Sequence, residues 1–453
     1  MPNPRPIAGD AVIIGGSIAG LLAARVLSGH FERVTLVERD ALDDAPAVRK
    51  GAPQGRHVHA LLSRGLESIE RLFPGFTAAI AADGANRVPM GDLQVFFFGT
   101  FRRRFDIGLD MYFQSRPLVE SHLRRRVRAL PNVRVRDGVD VSGLVSTGGG
   151  RRAVTGVRIV ERANGGAGSK GAELLPAELV VDASGRGSRT PAWLEEMGLE
   201  RPRESQVRID LGYATRIYEP PGSGSTGEAF RPLVVVGQAP ESGRFGVVFP
   251  IEGGRWLVSL GGMHGDHPPT DEEGFAAFAR SLPVPHVHDA LSSARPHGDI
   301  VPYRFLSSMR RHYEALRRFP DRLVVLGDAA CSLNPAYGQG MTVAALEAEL
   351  LDACLGAGRE ALGPTFHRRA AKIVDGPWLM GTTEAFRFPE TAGSRPVWLP
   401  LVHRYMERVN AVAARDRDVA IRMFRTMQML DPPTAVFHPA VLLRVARTWS
   451  KDA

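Results

Sequence analysis

The stretch Ala11 to Asp40, AVIIGGSIAGLLAARVLSGHFERVTLVERD, permits few folds. An apolar strand enters a Gly-rich turn, a helix apolar nearly all round follows, and a second strand ends at Glu38. A helix without a polar side and a strand without alternation belong to a parallel βαβ unit covered on both faces. The turn reads Gly15-Gly16-Ser17-Ile18-Ala19-Gly20. Gly15 permits the tight turn and Gly20 lets the helix pack closely on the strand, while Ser17 stands where a middle glycine is usual. The N–H groups of the helix start then face a pyrophosphate. Glu38 lies 18 residues after Gly20, placed to accept from an adenosine ribose hydroxyl. A dinucleotide at this switch point is the expectation.

At 453 residues the chain exceeds one simple core, so two or three structural regions are expected. The formal net charge is +8, and the cations are nearly all arginine. The runs Arg102-Arg103-Arg104 and Arg124-Arg125-Arg126 lack the interleaved aromatics of a base-stacking surface, which argues against nucleic acid. A modest attraction remains for anionic partners such as NADPH, a carboxylate substrate or an acidic carrier protein. Two cysteines, Cys331 and Cys354, give no disulfide framework. No signal peptide opens the chain and no run reaches transmembrane length, so a cytoplasmic protein without an integral membrane segment is expected. His57 and His59 have no further ligand cluster nearby, so no metal site is expected.

Along the chain, a basic Gly-rich loop follows Asp40 and leads into a helix from Leu61 to Phe73. His57 and His59 alternate, so at most one faces a ligand. DLQVFFFGTFRRRF, from Asp92 to Phe105, suits a strand pair over a cavity or ordinary sheet core. Ser115-Arg116-Pro117 starts a helix running to Leu130 and places Arg116 where a cofactor phosphate or ribityl group would lie. Short strands follow, with a Gly-rich tip (Gly148 to Gly150) and a loop (Asn164 to Gly171). The strand ending in Asp182 breaks into Gly185 and Gly187, a second close approach of backbone to ligand. From Val207 to Gly262 strands alternate without long helices, which predicts an antiparallel sheet facing the substrate; 271–292 returns to helix.

A buried strand from Arg322 to Leu326 then ends in Gly327-Asp328, and Gly338-Gln339-Gly340-Met341 opens a helix of about 15 residues. Asp328 is placed to accept from flavin ribityl hydroxyls, and the helix start at Gly340 and Met341 to stabilise negative charge on a reduced flavin ring. Beyond Pro364 the chain reads as helical with a break from Asp375 to Arg395. Met423, Met427 and Met429 suit helix packing or a pliable substrate lid.

Three motifs in order, GGSIAG, DASGRGSR and GDAACSLNPAYGQGM, resemble the FAD-dependent monooxygenases of the p-hydroxybenzoate hydroxylase type over about residues 8 to 360. RKGAPQGRHVHALL, SRPLVESHLRRRV and GRFGVVFPIEGGRWLVSLGG look closer to the flavin epoxidases of polyether antibiotic pathways, of the monensin and lasalocid type. The resemblance implies an α/β fold: a Rossmann-like FAD-binding domain from 1–90, 113–205 and 299–362, an antiparallel-sheet substrate domain from 91–112 and 206–298, and a C-terminal helical region or lid at 363–453. It implies FAD held by Gly15, Gly16, Ser17, Ala19, Gly20, Glu38 and Arg39, with Arg49, Lys50 and Arg116 alongside. Asp182 would serve the FAD side and the passage of NAD(P)H; Asp328 would hold the ribityl chain, and Pro335, Gly338, Gly340 and Met341 the ring region. The implied reaction uses NAD(P)H and O2 through a C4a-hydroperoxyflavin, epoxidising or hydroxylating an apolar polyketide- or terpenoid-like substrate, free or carrier-tethered. An alkene needs no base; a phenol would, with His57 and Tyr213 as candidates. Reduction of isoprenoid double bonds on the same fold is the alternative. A flavin halogenase would need a Trp-x-Trp-x-Ile-Pro segment, which the chain lacks, and a lysine beside the flavin, where only Lys50 is near.

Overall fold

The computed structural model describes residues 7–147, 152–162, 172–222 and 230–449. The Gly148 to Gly150 tip and the Asn164 to Gly171 loop expected from sequence lie outside them. The opening strand Ile7–Ile14, the helix Ile18–Ser28 and the strand Phe31–Val37 form the expected βαβ unit. Eight of that helix's residues are buried, from Ile18 and Gly20 through Leu27, so it is covered on nearly every side. Its main partner is the long helix Gly340–Ala357.

The two strands belong to a five-stranded parallel sheet in the order Leu323–Val325, Leu179–Asp182, Ile7–Ile14, Phe31–Val37, Val133–Arg136. The sequence-distant strands Leu179–Asp182 and Leu323–Val325 are neighbours here because both are apolar segments that must be buried on both faces, while Val133–Arg136 forms the more exposed edge. Leu179 to Asp182 are all buried, as are Leu323 to Val325.

The second large sheet has eight strands. Its centre is the antiparallel set Arg295–Arg311, Glu204–Glu219, Arg255–Gly262 and Phe245–Ile251. Leu233–Val236 continues it, and Gln94–Phe97 joins that strand in parallel. The antiparallel expectation for 207–262 is met. The 17-residue strand Arg295–Arg311 was not visible in the sequence, and it crosses the expected boundary at 298. Its pairing with Glu204–Glu219 from Glu204↔Arg311 to Glu219↔Arg295 makes it part of this sheet. Phe96 packs in the sheet's core with Ala214, Val235 and Phe275, which is the ordinary of the two roles expected for it.

The C-terminal helices differ from expectation in where they break: further interruptions fall at 414–416 and 428–438, and the expected break is displaced. The helix Leu362–Ala385 runs unbroken through Gly376 and Pro377. Proline costs one backbone bond and crowds the preceding turn. Burial of Phe366, Ala370, Val374, Pro377 and Gly381 along the same helix outweighs that cost, and the interruption falls at 386–398 instead. Met423 is buried against Met111 and Phe249 in a shared cluster, the packing role; Met427 is 40% exposed. No helix among the described residues is long and apolar enough to cross a membrane.

Two glycines test this packing. A Cβ on Gly20 would stand 1.8 Å from the Gly15 carbonyl oxygen. Gly20→Ala is expected to cost ~1–3 kcal/mol, read as a lower thermal midpoint. At Gly356, inside the Gly340–Ala357 helix, nothing lies within 4 Å of a new Cβ. Gly356→Ala is expected to raise the midpoint, by about 0.5–1 kcal/mol of helix preference.

Candidate functional site

Register brings the glycine-bearing corners together. Ile14 pairs with both Val37 and Asp182, and Asp182 pairs with Val325, so four strands end level. The segments leaving them, which begin at Gly15, Glu38, Ala183 and Leu326, emerge along one carboxyl edge, where open α/β sheets bind ligands. A cavity of about 490 Å3 lies there. Of the residues singled out in the sequence, Gly15, Ser17, Ala19, Glu38, Arg39, Arg49 and Arg116 line it, as do Asp328, Pro335, Gly338, Gly340, Met341 and Tyr213.

The first corner is set by a buried ion network. Gly16 N–H donates to Glu38 Oε2 at 2.6 Å, and Asp40 N–H to Glu38 Oε1 at 3.0 Å. Gly16 itself does not line the cavity; a Cβ there would sit 3.1 Å from Glu38 Cβ, so its smallness lets the acid approach. Ser17 occupies the N-cap position, but its side chain does not cap. Its hydroxyl donates to Glu120 Oε1 at 2.7 Å and accepts from Arg116 Nη2 at 2.9 Å. Arg116 Nε also donates to Glu120 Oε1 at 3.0 Å, and Arg49 Nη2 to Glu120 Oε2 at 3.1 Å. Burial alone would raise the Glu120 carboxyl; Arg116 and Arg49 overcome it and hold it at about 2. Glu120 was missed in the sequence, although it stands four residues after Arg116 on one helix, the spacing of a facing ion pair. Arg116 Nη1 lies 3.2 Å from His59 Nε2. His59 lines the cavity and His57 does not, in keeping with their alternation.

The third corner touches the first. A Cβ on Gly327 would come 2.9 Å from Ala19 Cβ, and Gly327 has φ +64°, so only glycine fits both demands. Gly327 N–H donates to Glu347 Oε2 at 2.6 Å. Glu347 is fully buried, and burial pushes its carboxyl up to about 8 against the opposing Gly327 N–H. Asp328 opens into the cavity, and the surrounding protein raises its carboxyl while Arg116 and Arg186 pull it back. Gln339 is 1% exposed, lines the cavity, and has neither amide atom partnered. The helix Gly340–Ala357 starts at Gln339 without a side-chain cap, so its first N–H groups are free as well.

Besides Gly16 and His57, three expected residues do not line the cavity. Asp182 is wholly buried, and its carboxylate is consumed locally. It accepts from Ser184 N at 2.9 Å, and from Ser184 Oγ, Ser188 Oγ and Thr190 Oγ1 at 2.5 Å each. It shapes the middle corner; Ala183, Ser184, Gly185, Arg186 and Gly187 are what face the cavity. Lys50 is exposed and off the cavity. Gly20 also lies behind the lining, in the packing role described above.

The far wall comes from the antiparallel sheet. Tyr213, Tyr303 and Phe305 line it, with Arg186 over the Phe305 ring at 5.1 Å. His57 stands behind, 4.7 Å edge-on to Tyr213, with Nδ1 2.8 Å from Thr215 Oγ1 and Nε2 unpartnered. Burial pushes His57 down to about 4, so the ring is neutral at pH 7. Burial drives the Tyr213 phenol well above its ordinary value, which makes it a donor and not a base. No group of side chains able to hold a metal ion occurs among the described residues.

The Glu347 carboxyl yields a pH prediction. Its folded value, about 8, lies above its ordinary one, so the folded chain keeps a proton that the unfolded chain releases. That contribution is full below the ordinary carboxylate range and is lost as pH rises toward 8. Glu347→Gln removes the titration. The thermal midpoint of the parent minus that of the variant is expected to fall between about pH 5 and 8 and then level.

A family model described as an FAD binding domain matches residues 9–373. The Mycobacterium tuberculosis protein Rv3254 is 33% identical over 474 residues, covering 99% of this chain and 96% of its own. Kynurenine 3-monooxygenase of Salinispora arenicola is 26% identical, covering 76% of this chain and 72% of its own. The crystal structure of p-nitrophenol 4-monooxygenase PnpA from Pseudomonas putida DLL-E4 shares the fold, with a TM-score of 0.62 at 19% identity, over 95% of this chain and 100% of its own. With the level strand ends, the Glu38 corner and the unpartnered Gln339 amide at one cavity, these findings place the chain in the FAD-binding monooxygenase family.

Proposed function

We propose that this protein uses NAD(P)H and FAD to put one atom of O2 onto an apolar polyketide- or terpenoid-like intermediate, as an epoxide or a hydroxyl. The observation that carries this reading is the continuity of the cavity: the dinucleotide corners and the ring wall of Tyr213, Tyr303 and Phe305 enclose one space. The monooxygenases among its similar proteins support the oxygenase half of the reading. The sequence motifs similar to the polyether-pathway epoxidases support the apolar substrate.

The residues fit the cofactor. Buried polar atoms without partners are costly, and those of Gln339 meet the cavity where a flavin ring edge offers both donors and acceptors. Bound there, reduced FAD supplies the activation of O2. Glu38 keeps acceptor capacity for a ribose beyond the Gly16 and Asp40 N–H groups it already holds. Ser17 and Arg116 stand at the free start of the Ile18–Ser28 helix, where a pyrophosphate is favoured. Asp328 accepts from ribityl hydroxyls, and the positive end of the Gly340–Ala357 helix favours an electron-rich ring. The ring wall excludes water and orients the substrate. Reduction of isoprenoid double bonds is not favoured by the family.

Neither of the two base candidates is poised for a phenol. Tyr213 reaches the cavity but stays protonated, and His57 is neutral but screened behind it. This arrangement suits an alkene, which needs no proton removed. Tyr213→Phe is therefore expected to leave the pH profile of kcat unchanged; a shifted profile would show that the phenol serves as a base and would overturn this assignment.

The purified protein should carry or take up FAD, consume NAD(P)H and yield product heavier by one oxygen. No flavin after reconstitution, or a gain of two hydrogens, would overturn the reading. Asp328→Ala is expected to weaken FAD retention at least about tenfold, the loss of one hydrogen bond to a charged group, measured by flavin fluorescence.

A further inference from the structure

The outer face of the ring wall is apolar and bare. Between the helices Leu362–Ala385 and Leu399–Ala413 the chain presents Val397 at 97% exposure, Trp398 at 41% and Leu401 at 75%. Leu399, between them, is 2% exposed and packs inward with Phe386, Phe305 and Tyr213. One short segment therefore has its inward side chain in the cluster that lines the cavity and three large apolar side chains in solvent. Single exposed apolar residues need no explanation, but three within five positions do.

The charge around them selects the occupant. Residues 386–449 hold ten arginines against five carboxylates, which is five of the chain's eight net positive charges. Within the helix Leu399–Ala413, Leu401, Arg404 and Arg408 recur at helical spacing, so the apolar tip continues into cations along one stripe. Glu407, beside it, is tied to Arg387 at 2.8 Å. Tryptophan and aliphatic side chains backed by arginine match the boundary between lipid tails and anionic headgroups. A second copy of this chain would instead set the same cationic surface against itself.

We propose that the segment around Val397, Trp398 and Leu401 docks the protein on an anionic membrane surface, with these side chains in the headgroup layer and the net positive charge of 386–449 attracted to the anionic lipids. The site would then meet apolar substrates held in the bilayer, and this clause alone rests on the function proposed above. Docking itself does not require turnover.

The test uses the flavin-loaded protein with phosphatidylcholine vesicles, with and without phosphatidylglycerol. The protein is expected to co-sediment with the anionic vesicles and to release as salt rises. Val397→Ser with Leu401→Ser should weaken binding at least about tenfold while flavin content and thermal midpoint stay unchanged, since both side chains are exposed. Trp398→Phe should remove a blue shift of tryptophan emission seen on binding. Absence of co-sedimentation overturns the proposal. So does vesicle binding indifferent to the double variant, which would place the contact elsewhere on the cationic surface. A concentration-dependent dimer abolished by the double variant, without vesicle binding, would assign the face to a second copy.

Discussion

The site depends on the carboxylate of Glu120. It accepts from Ser17 at the first corner, from Arg116 on its own helix and from Arg49 in the loop after the second strand. Three separate segments thus meet on two oxygens that are almost wholly out of water. Buried charges are stable only in company: removing one partner leaves an unpaired ion, at ~3–5 kcal/mol. The same network explains Ser17. A glycine at that position would have no hydroxyl to bridge Glu120 and Arg116, so the departure from the usual middle glycine is part of a local design. It also turns the arginines to a double use, neutralising Glu120 on one side and lining the cavity on the other.

Close approach does the rest. Gly20 lies against the Gly15 carbonyl, and Gly327 against Ala19, so the first and third corners are in contact across more than three hundred residues of chain. Where a Cβ cannot fit, sequence constrains geometry tightly, and this is why the two corners could be read from residue types alone. The βαβ unit, the cap at Ser115, which accepts from Leu118 N–H, and the strand that ends in Gly327-Asp328 were legible for the same reason: each is encoded within a dozen or so residues.

What was not legible depends on partners far away. Asp182 looks like a ligand-facing acid because it ends a strand before glycines, yet three hydroxyls and an N–H from the next eight residues take up its oxygens. Composition cannot tell a carboxylate that turns the chain from one that meets a ligand. The strand Arg295–Arg311 opens with proline, glycine and charge, and becomes a strand through pairing with Glu204–Glu219. Pro377 reads as a helix stop, and tertiary burial overrides it. Gln339 and Glu347 carry no signal of their own in the sequence; their significance is that they are polar, buried and short of partners.

The two sheets divide the work according to their physics. A parallel sheet is buried on both faces, so its only free surface for a ligand is the edge where strands end, and the dinucleotide corners sit there. An antiparallel sheet has a face to spare, and here Tyr213, Tyr303 and Phe305 give that face to the cavity. The seam between the sheets is held by Arg186, which lines the cavity, stacks on Phe305 and donates to the Ser307 carbonyl at 2.6 Å. A cation at that seam, half-buried, joins Arg116 in drawing Asp328 toward its ionised form. The polar end of the cavity is therefore tuned by a residue rooted in the apolar wall, so reshaping that wall for a different substrate also changes the electrostatics of the cofactor corner.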